Sequence, residues 1–425
     1  MRVIPYSALY VDVTVSDLFK KGFESLKPQD VKKAISGIES IFIQDPTKEQ
    51  LLITMCVRGA LDLLLQGLNY PPGTEILMSA MNIPDMVKVV RYHGYIPVPV
   101  DIDFTTMKPK MASLEKNLTK NTKAIILAWV YGSYNYAEEI YKFCKDKGLF
   151  IIEDNAETFF DTKYNGSPHA DASLFSFGII KLNTALGGAL MIVRNNEVLS
   201  RRMKYIMSNY PVEGIKFFIK RLVKAIPAMM ILNSTMVNEY ARRIMISLGI
   251  EYKEKAISLL RGFQPDETFL NTYRKQMPEA MIAFLYLRMK TFDKAEFLRC
   301  TKRQYEGQQI LERNGIFVPG TQADKKFYWL YPIIVPDQEL CYDILNKKGI
   351  DAYLGATQLK PVPTPIGSKY EDPKETIEFF NKILYLPIHK NVPLESIQKI
   401  CRGVVETVKG VEEMKRRNDL IRPKL

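Results

Sequence analysis

The sequence predicts an α/β protein: a large, mostly parallel sheet with helices on both faces, followed by a smaller C-terminal α/β domain. Two observations carry that expectation. Between residues 50 and 195, short apolar runs alternate with stretches of helical period, and strands buried on both faces belong to parallel sheets with helical crossovers. Beyond residue 313 a second, shorter alternation begins. A chain of 425 residues is long enough for two domains. Its 47% hydrophobic and 25% charged residues supply a full core and argue against disorder.

The elements follow in order. Residues 1–49 form an opening helical segment, with Leu18, Phe19, Phe23, Leu26, Val31 and Ile35 at helical spacing. The large domain spans 50–265. Its expected strands are 75–79, 96–100, 123–129, 149–153, 173–177 and 189–193, and its expected helices include 58–68, 85–93 and 137–147. A basic, Met-rich helical insertion occupies 200–262. Residues 266–425 hold linking helices and the small domain, with strands at 328–335 and 384–388 and helices at 338–348 and 394–408. The polar tail 409–425 is expected to fray.

Composition narrows the function. Lys+Arg 59 against Asp+Glu 47 gives +12, an excess that suits phosphorylated substrates, anionic lipid or nucleic acid. No nucleic-acid motif accompanies it, so nucleic acid is set aside. Five scattered cysteines without a Cys-x-x-Cys pair fit a reducing, cytoplasmic setting. The three histidines, His93, His169 and His389, lie too far apart in sequence to suggest a metal site or a Ser-His-Asp triad. His389 stays as an outer candidate for the cleft. The start MRVIPYSALYVDVTV has no signal-peptide pattern, and no apolar run suits a spanning helix. The expectation is a soluble or peripheral protein.

Two motifs follow buried strands: Ile151-Ile152-Glu153-Asp154-Asn155-Ala156-Glu157, and Ser173-Leu174-Phe175-Ser176-Phe177-Gly178-Ile179-Ile180-Lys181. Ligands of such sheets bind at the carboxyl ends of the strands. A carboxylate at one strand end and a lysine just past a neighbouring strand are what pyridoxal-phosphate (PLP) chemistry requires. The lysine forms an imine with the cofactor aldehyde and moves the proton at the substrate carbon, while the carboxylate keeps the pyridine nitrogen protonated. Either motif alone reads equally as a loop lysine or a strand-end cap.

Together these motifs resemble the DegT/DnrJ-type sugar aminotransferases, a branch of PLP fold type I (aspartate-aminotransferase-like). Their pattern is a strand ending Glu-Asp-Ala-Ala-Gln, then Phe-Ser-Phe, with a lysine five residues past that serine. The resemblance implies a seven-stranded type of sheet and PLP as cofactor. It further implies that Asp154 pairs with the pyridine nitrogen, Ser176 bonds the phosphate and Lys181 carries the cofactor. It extends over residues 50–195 and, more loosely, 265–408.

The chain departs from that pattern at several places. The family's Ser-Gly-Thr phosphate cradle is here Cys56-Val57-Arg58-Gly59. The backbone of Val57, Arg58 and Gly59 still opens a helix toward an anion, and Arg58 replaces the hydroxyl with a charge. The aromatic position over the cofactor is Met81, beside Asn82, and the family's Gln beneath it is Glu157. Arg274 stands in a motif that reaches the partner's phosphate in family members, or is simply an exposed helix start.

In 214–237, Phe218, Leu222, Ala225, Ile226 and Met229 make an apolar stripe, and Lys216, Lys220 and Lys224 a basic one. With Arg201, Arg202, Arg242 and Arg243 nearby, this suits the surface of an anionic membrane, or else a helix packed on its own domain or a dimer interface. Pro227 is expected to kink it. The reading is a homodimeric PLP aminotransferase that takes an amino group from an amino acid, glutamate by analogy, to a keto group. The acceptor by family default is a nucleotide-linked sugar. The alternatives are a PLP enzyme for a lipid-linked or membrane-associated substrate, and a catalytically inactive binding module.

Overall fold

Seven strands make the central sheet, and their residues show why it is covered on both sides. The computed structural model describes residues 4–28, 30–248, 269–355 and 358–421. The strands are β1 (Glu49–Thr54), β2 (Glu75–Ser79), β3 (Ile96–Val100), β4 (Thr122–Ala128), β5 (Phe150–Asp154), β6 (Ala172–Ser176) and β7 (Ala189–Arg194), in the order β1-β7-β6-β5-β4-β2-β3. The run from β6 to β3 is parallel, and β7 is antiparallel to both β6 and β1. Successive residues Ile76, Leu77 and Met78, or Ile125 and Ile126, are all fully buried, as a strand between two helical layers requires. The alternation does not predict β1, whose polar Glu49-Gln50 start hides a strand. There Glu49 is buried against Arg194 of β7 (3.2 Å) and Asn165 (2.9 Å), so charge at this strand marks an internal network.

Helices α1 (Val31–Phe42), α2 (Val57–Leu68), α3 (Pro84–Tyr92), α4 (Glu138–Asp146), α5 (Glu197–Ser208), α6 (Ile215–Asn233) and α7 (Thr235–Ser247) accompany the sheet. Helices α8 (Glu279–Lys290) and α9 (Lys294–Glu312) then lead to an antiparallel pair, β8 (Tyr331–Ile334) and β9 (Ile383–Leu386), with α10 (Gln338–Lys347) and α11 (Leu394–Ile421). The expected fraying of 409–425 is corrected up to residue 421: α11 continues through it. Ile397, Ile400, Val404, Val408 and Val411 are buried at helical spacing against α9 and α10, and this stripe carries the helix past Val408. Residues 422–425 lie outside the described residues.

Of the two expected readings of the α6 stripe, the structure takes the second. Phe218, Leu222, Ala225 and Met229 are core residues, with Phe218 5.6 Å from the ring of Phe284 on α8. The stripe is therefore not available to a membrane, and packing on the protein's own core is the outcome. Lys216, Lys220 and Lys224 face outward, as do Ile215, Ile219 and Val223. The helix runs through Pro227 without a break. No helix among the described residues is long and apolar enough to cross a membrane. The end of the insertion, 249–262, lies outside the described residues, as does the side chain of Arg242.

Residues 8–13, ahead of the expected helices, are buried between the sheet and the C-terminal region. The Asn183 N–H donates to Asp12 (2.6 Å), Arg288 donates to the Asp12 carbonyl (2.7 Å), and Lys390 pairs with the Asp12 carboxylate. His389 stacks on Tyr10 at 4.4 Å and its Nε2 donates to the Ser7 carbonyl at 2.9 Å. It is a strut for this segment and does not line the cleft.

Burial pushes the His389 imidazole down to about 4. Its folded value lies below its unfolded value, so the stability it contributes is present above pH 6.5 and lost as pH falls toward 4. Urea titrations should therefore show the wild type losing about 2 kcal/mol relative to His389→Gln between pH 7 and pH 5. Parallel losses in the two proteins would remove His389 from that role.

Candidate active site

The carboxyl ends of β5 and β6 open into a cleft of about 590 Å³, a size suited to a cofactor with its substrate. Strand alternation decides which of two adjacent carboxylates enters it. Glu153 points into the core, where it accepts from Trp129 Nε1 (3.0 Å), Ser173 Oγ (2.7 Å), the Ser167 N–H (2.8 Å) and the Tyr141 hydroxyl. Asp154 points the other way, lines the cleft and accepts from the Ala156 N–H at 3.0 Å. Burial pushes its carboxyl up to about 6, although the Ala156 N–H and Lys181 both favour the charged form. A buried carboxylate so placed would be relieved by a cationic N–H partner.

Beyond β6 the chain folds back on Phe177, whose carbonyl accepts from the N–H groups of Ala185 and Gly187 (both 3.0 Å). This tight loop carries Lys181. Its Nζ stands 3.3 Å from Glu157 Oε1 and 4.4 Å from the centre of the Trp329 ring. The other Glu157 oxygen accepts from the Tyr131 N–H at 2.8 Å. The departure from the family's Gln is thus balanced by a cation and a backbone donor. Asn183 and Leu186 adopt positive φ (48° and 63°) in the same loop, strain that the Asp12 bond to Asn183 helps to hold.

At the opposite end, α2 begins from Cys56 in extended conformation with no side-chain cap. No side chain competes for that end of the helix, whose positive dipole favours an anion. Val57, Arg58, Ser176, Gly187 and Gly188 line that end. Arg58 pairs with Asp85 at 3.0 Å, and Asp85 also meets Lys88 at 3.6 Å. Among the charged side chains lining the cleft, Arg58, Lys88, Lys181, Arg221 and Lys360 outnumber Asp85, Asp154 and Glu157, so the cavity favours an anionic ligand. Asn82 lines it too. Its Nδ2 is buried with no hydrogen-bond partner among the described residues, while its Oδ1 accepts from the Ile83 N–H (2.8 Å).

Lys181, Asp154, Ser176, Glu157, Arg58, Val57 and Asn82 thus come together. One expected residue does not: Met81 is fully buried and does not line the cleft. Gly59, expected only through its backbone N–H, sits in the first turn of α2 with the Tyr273 carbonyl close to where a Cβ would stand. Arg274, expected at a partner's phosphate or as an exposed helix start, is fastened to buried Asp62 by two bonds of 2.9 Å and closes the segment before α8 onto α2. Leu9, Tyr385 and Arg221, which line the cleft, and Trp329, whose ring stands beside Lys181, are additions the sequence reading did not supply. Arg221 had a signal: it lies three residues after Phe218 and four before Ala225, a cation inside an apolar stripe.

A model of the DegT/DnrJ/EryC1/StrS aminotransferase family matches residues 52–405. GDP-perosamine synthase of Escherichia coli O157:H7 is 35% identical over 147 residues, which is 34% of this chain and 40% of that protein. The chain spans about 40% of the length of the curated relatives it first matches. A UDP-4-amino-4,6-dideoxy-N-acetyl-beta-L-altrosamine transaminase of Helicobacter pylori is 26% identical and covered over 78% of both chains. In fold, the chain is similar to Helicobacter pylori PseC, an aminotransferase involved in the biosynthesis of pseudoaminic acid (TM-score 0.68, 18% identity, 95% and 99% covered). It is also similar to NtdA of Bacillus subtilis with bound cofactor PMP (TM-score 0.67, 19% identity, 96% and 86% covered).

Proposed function

The chain belongs to the DegT/DnrJ/EryC1/StrS aminotransferase family, and from that premise we propose that it is a PLP-dependent aminotransferase of nucleotide-linked keto sugars. The observation that carries the reading is the convergence of Asp154 and Lys181 in one cleft, from adjacent strands. The names of the relatives supply the substrate class.

The residues fit the cofactor at each of its parts. Lys181 is the amine that anchors it. Asp154, destabilised by burial, holds a proton at the ring nitrogen and is itself relieved by that charge. The first turn of α2, Ser176 and Arg58 take the phosphate, and the Asn82 Nδ2 supplies an otherwise idle donor. When bound, PLP supplies an electron sink for the carbanion at the substrate carbon.

The chain's own groups do the rest. Lys181 would be the base that moves the proton at that carbon. Glu157, 3.3 Å from the Lys181 amine, would hold that amine in the cleft. Tyr385 lines the cleft, and the Trp329 ring lies beside the Lys181 amine at 4.4 Å. The homodimer implied by the family resemblance completes this reading, and a lipid-linked acceptor loses its main support now that the α6 stripe is core.

The test supplies isotope-labelled glutamate and a nucleoside-diphosphate keto sugar to the PLP-loaded protein. Labelled nitrogen should appear on the sugar. Cofactor binding without nitrogen transfer from any amino acid would instead favour the binding-module reading.

A further inference from the structure

The inserted helix α6 reaches the cleft through one residue. Arg221 shares the buried face of α6 with Phe218 and Ala225, so its guanidinium points inward, away from the exposed Lys216, Lys220 and Lys224. There it donates to the Leu186 carbonyl at 2.5 Å, lies 4.6 Å from the Phe217 ring, and lines the cleft with Cys56, Arg58 and Gly188. We propose that Arg221 is a phosphate-holding residue, the second guanidinium of a dianion site completed by Arg58 and the uncapped first turn of α2. The inserted helix is then a working part of the cofactor site. This rests on the proposed PLP function and names a residue that the family pattern does not supply.

Three features support it. The first is charge. Burial and the neighbouring Arg58 push Arg221 down to about 10, only partly offset by Cys56, so it stays protonated at neutral pH at a cost that an anion would relieve. Arg58 already shares Asp85 with Lys88, which leaves this end of the cleft cationic. The second is space. A Cβ at Gly187 would stand 3.0 Å from Arg221 Nη1 and 2.0 Å from Met281 Cε, so the turn that brings the Lys181 loop back to β7 keeps a side-chain-free approach beside the guanidinium. The third is vacancy of a donor: the buried Asn82 Nδ2 in the same cleft has no partner among the described residues, which points to a ligand. A planar guanidinium suits the phosphate because it presents two parallel N–H groups to two oxygens.

The rival is a purely structural Arg221 that caps Leu186 and stacks on Phe217. Inorganic phosphate, the full chain without added cofactor, and Arg221→Gln and Arg221→Lys decide between them. Cys56 is half-buried whereas the other four cysteines are buried, so its alkylation rate reports occupancy of this end of the cleft. Phosphate should slow alkylation of Cys56 in the wild type. Arg221→Gln, which keeps a donor for Leu186, should need about ten- to a hundredfold more phosphate for the same protection, and Arg221→Lys should recover part of it. The affinity for PLP should fall by a similar factor in Arg221→Gln while that for pyridoxal, which lacks the phosphate, stays unchanged.

Equal phosphate protection in wild type and Arg221→Gln, or no protection in the wild type, would overturn the proposal. So would parallel losses for PLP and pyridoxal, the mark of a structural role. Arg221-dependent phosphate protection in a protein that never attaches PLP covalently would refute the cofactor reading and leave the anion site standing.

Discussion

Lys181→Ala should abolish amino transfer, lowering kcat by at least ~10³-fold, because in the proposed function one side chain both anchors the cofactor and moves the substrate proton. The same change should remove covalent attachment. Borohydride followed by mass measurement should add the reduced cofactor to the wild type at Lys181 and nothing to the variant. Lys181→Arg sharpens the result. It keeps a cation beside Glu157 and over the Trp329 ring, so the loop retains its neighbours, yet a guanidinium is not an anchoring nucleophile. Both variants should fold with the wild-type circular dichroism spectrum, since the loop is held by the Phe177 carbonyl and by Asp12, not by Lys181. Attachment through Lys88 or Lys360, the other lysines lining the cleft, or undiminished turnover in Lys181→Ala, would remove Lys181 from its assigned part.

Where the sequence speaks through local pattern, it anticipates the structure. The parallel strands are legible because burial on both faces forces uninterrupted apolar runs, as in Ile151-Ile152 and Ile125-Ile126. The meeting of Asp154 and Lys181 in one cleft is legible because each follows a buried strand of the same sheet. What escapes is decided by partners distant in the chain. Arg274 reads as a free cation until Asp62, 212 positions away, is found beneath it. Residues 8–13 fall in a segment read as helical, yet they are not helical, and Asp12 meets Asn183 across 171 positions and steadies the Lys181 loop. The α6 stripe carries the same amphipathic signal whether it lies on a membrane or on the protein's own core. Only Phe284 and its neighbours settle which.

Asp154→Asn should separate folding from catalysis, with the two effects opposite in sign. The amide is isosteric and neutral, and it retains an oxygen to accept from the Ala156 N–H. It cannot hold a positive charge at the cofactor's ring nitrogen, so kcat/KM should fall by about 10²- to 10³-fold, the usual cost of removing one preorganised electrostatic partner.

Stability of the cofactor-free protein should move the other way. The Asp154 carboxyl is raised from 3.8 to about 6, so the folded state disfavours the ionised form. Above pH 6 that ionised form costs stability, by an amount on the order of 3 kcal/mol at pH 7. The cost shrinks as pH falls from 6 toward 4, because the folded carboxyl takes up its proton before the unfolded one does. Urea denaturation should therefore find Asp154→Asn more stable than wild type at pH 7, by a margin roughly halved at pH 5. Such a gain at the expense of activity is the signature of a charge kept for function.

The two measurements constrain different statements. A variant as active as the wild type would refute the pyridine-pairing role whatever its stability. A variant less stable at pH 7 would show that the Lys181 charge, or the Ala156 bond, compensates the buried carboxylate more fully than its raised value implies. In that case Asp154 would belong to the scaffold as well as to the chemistry.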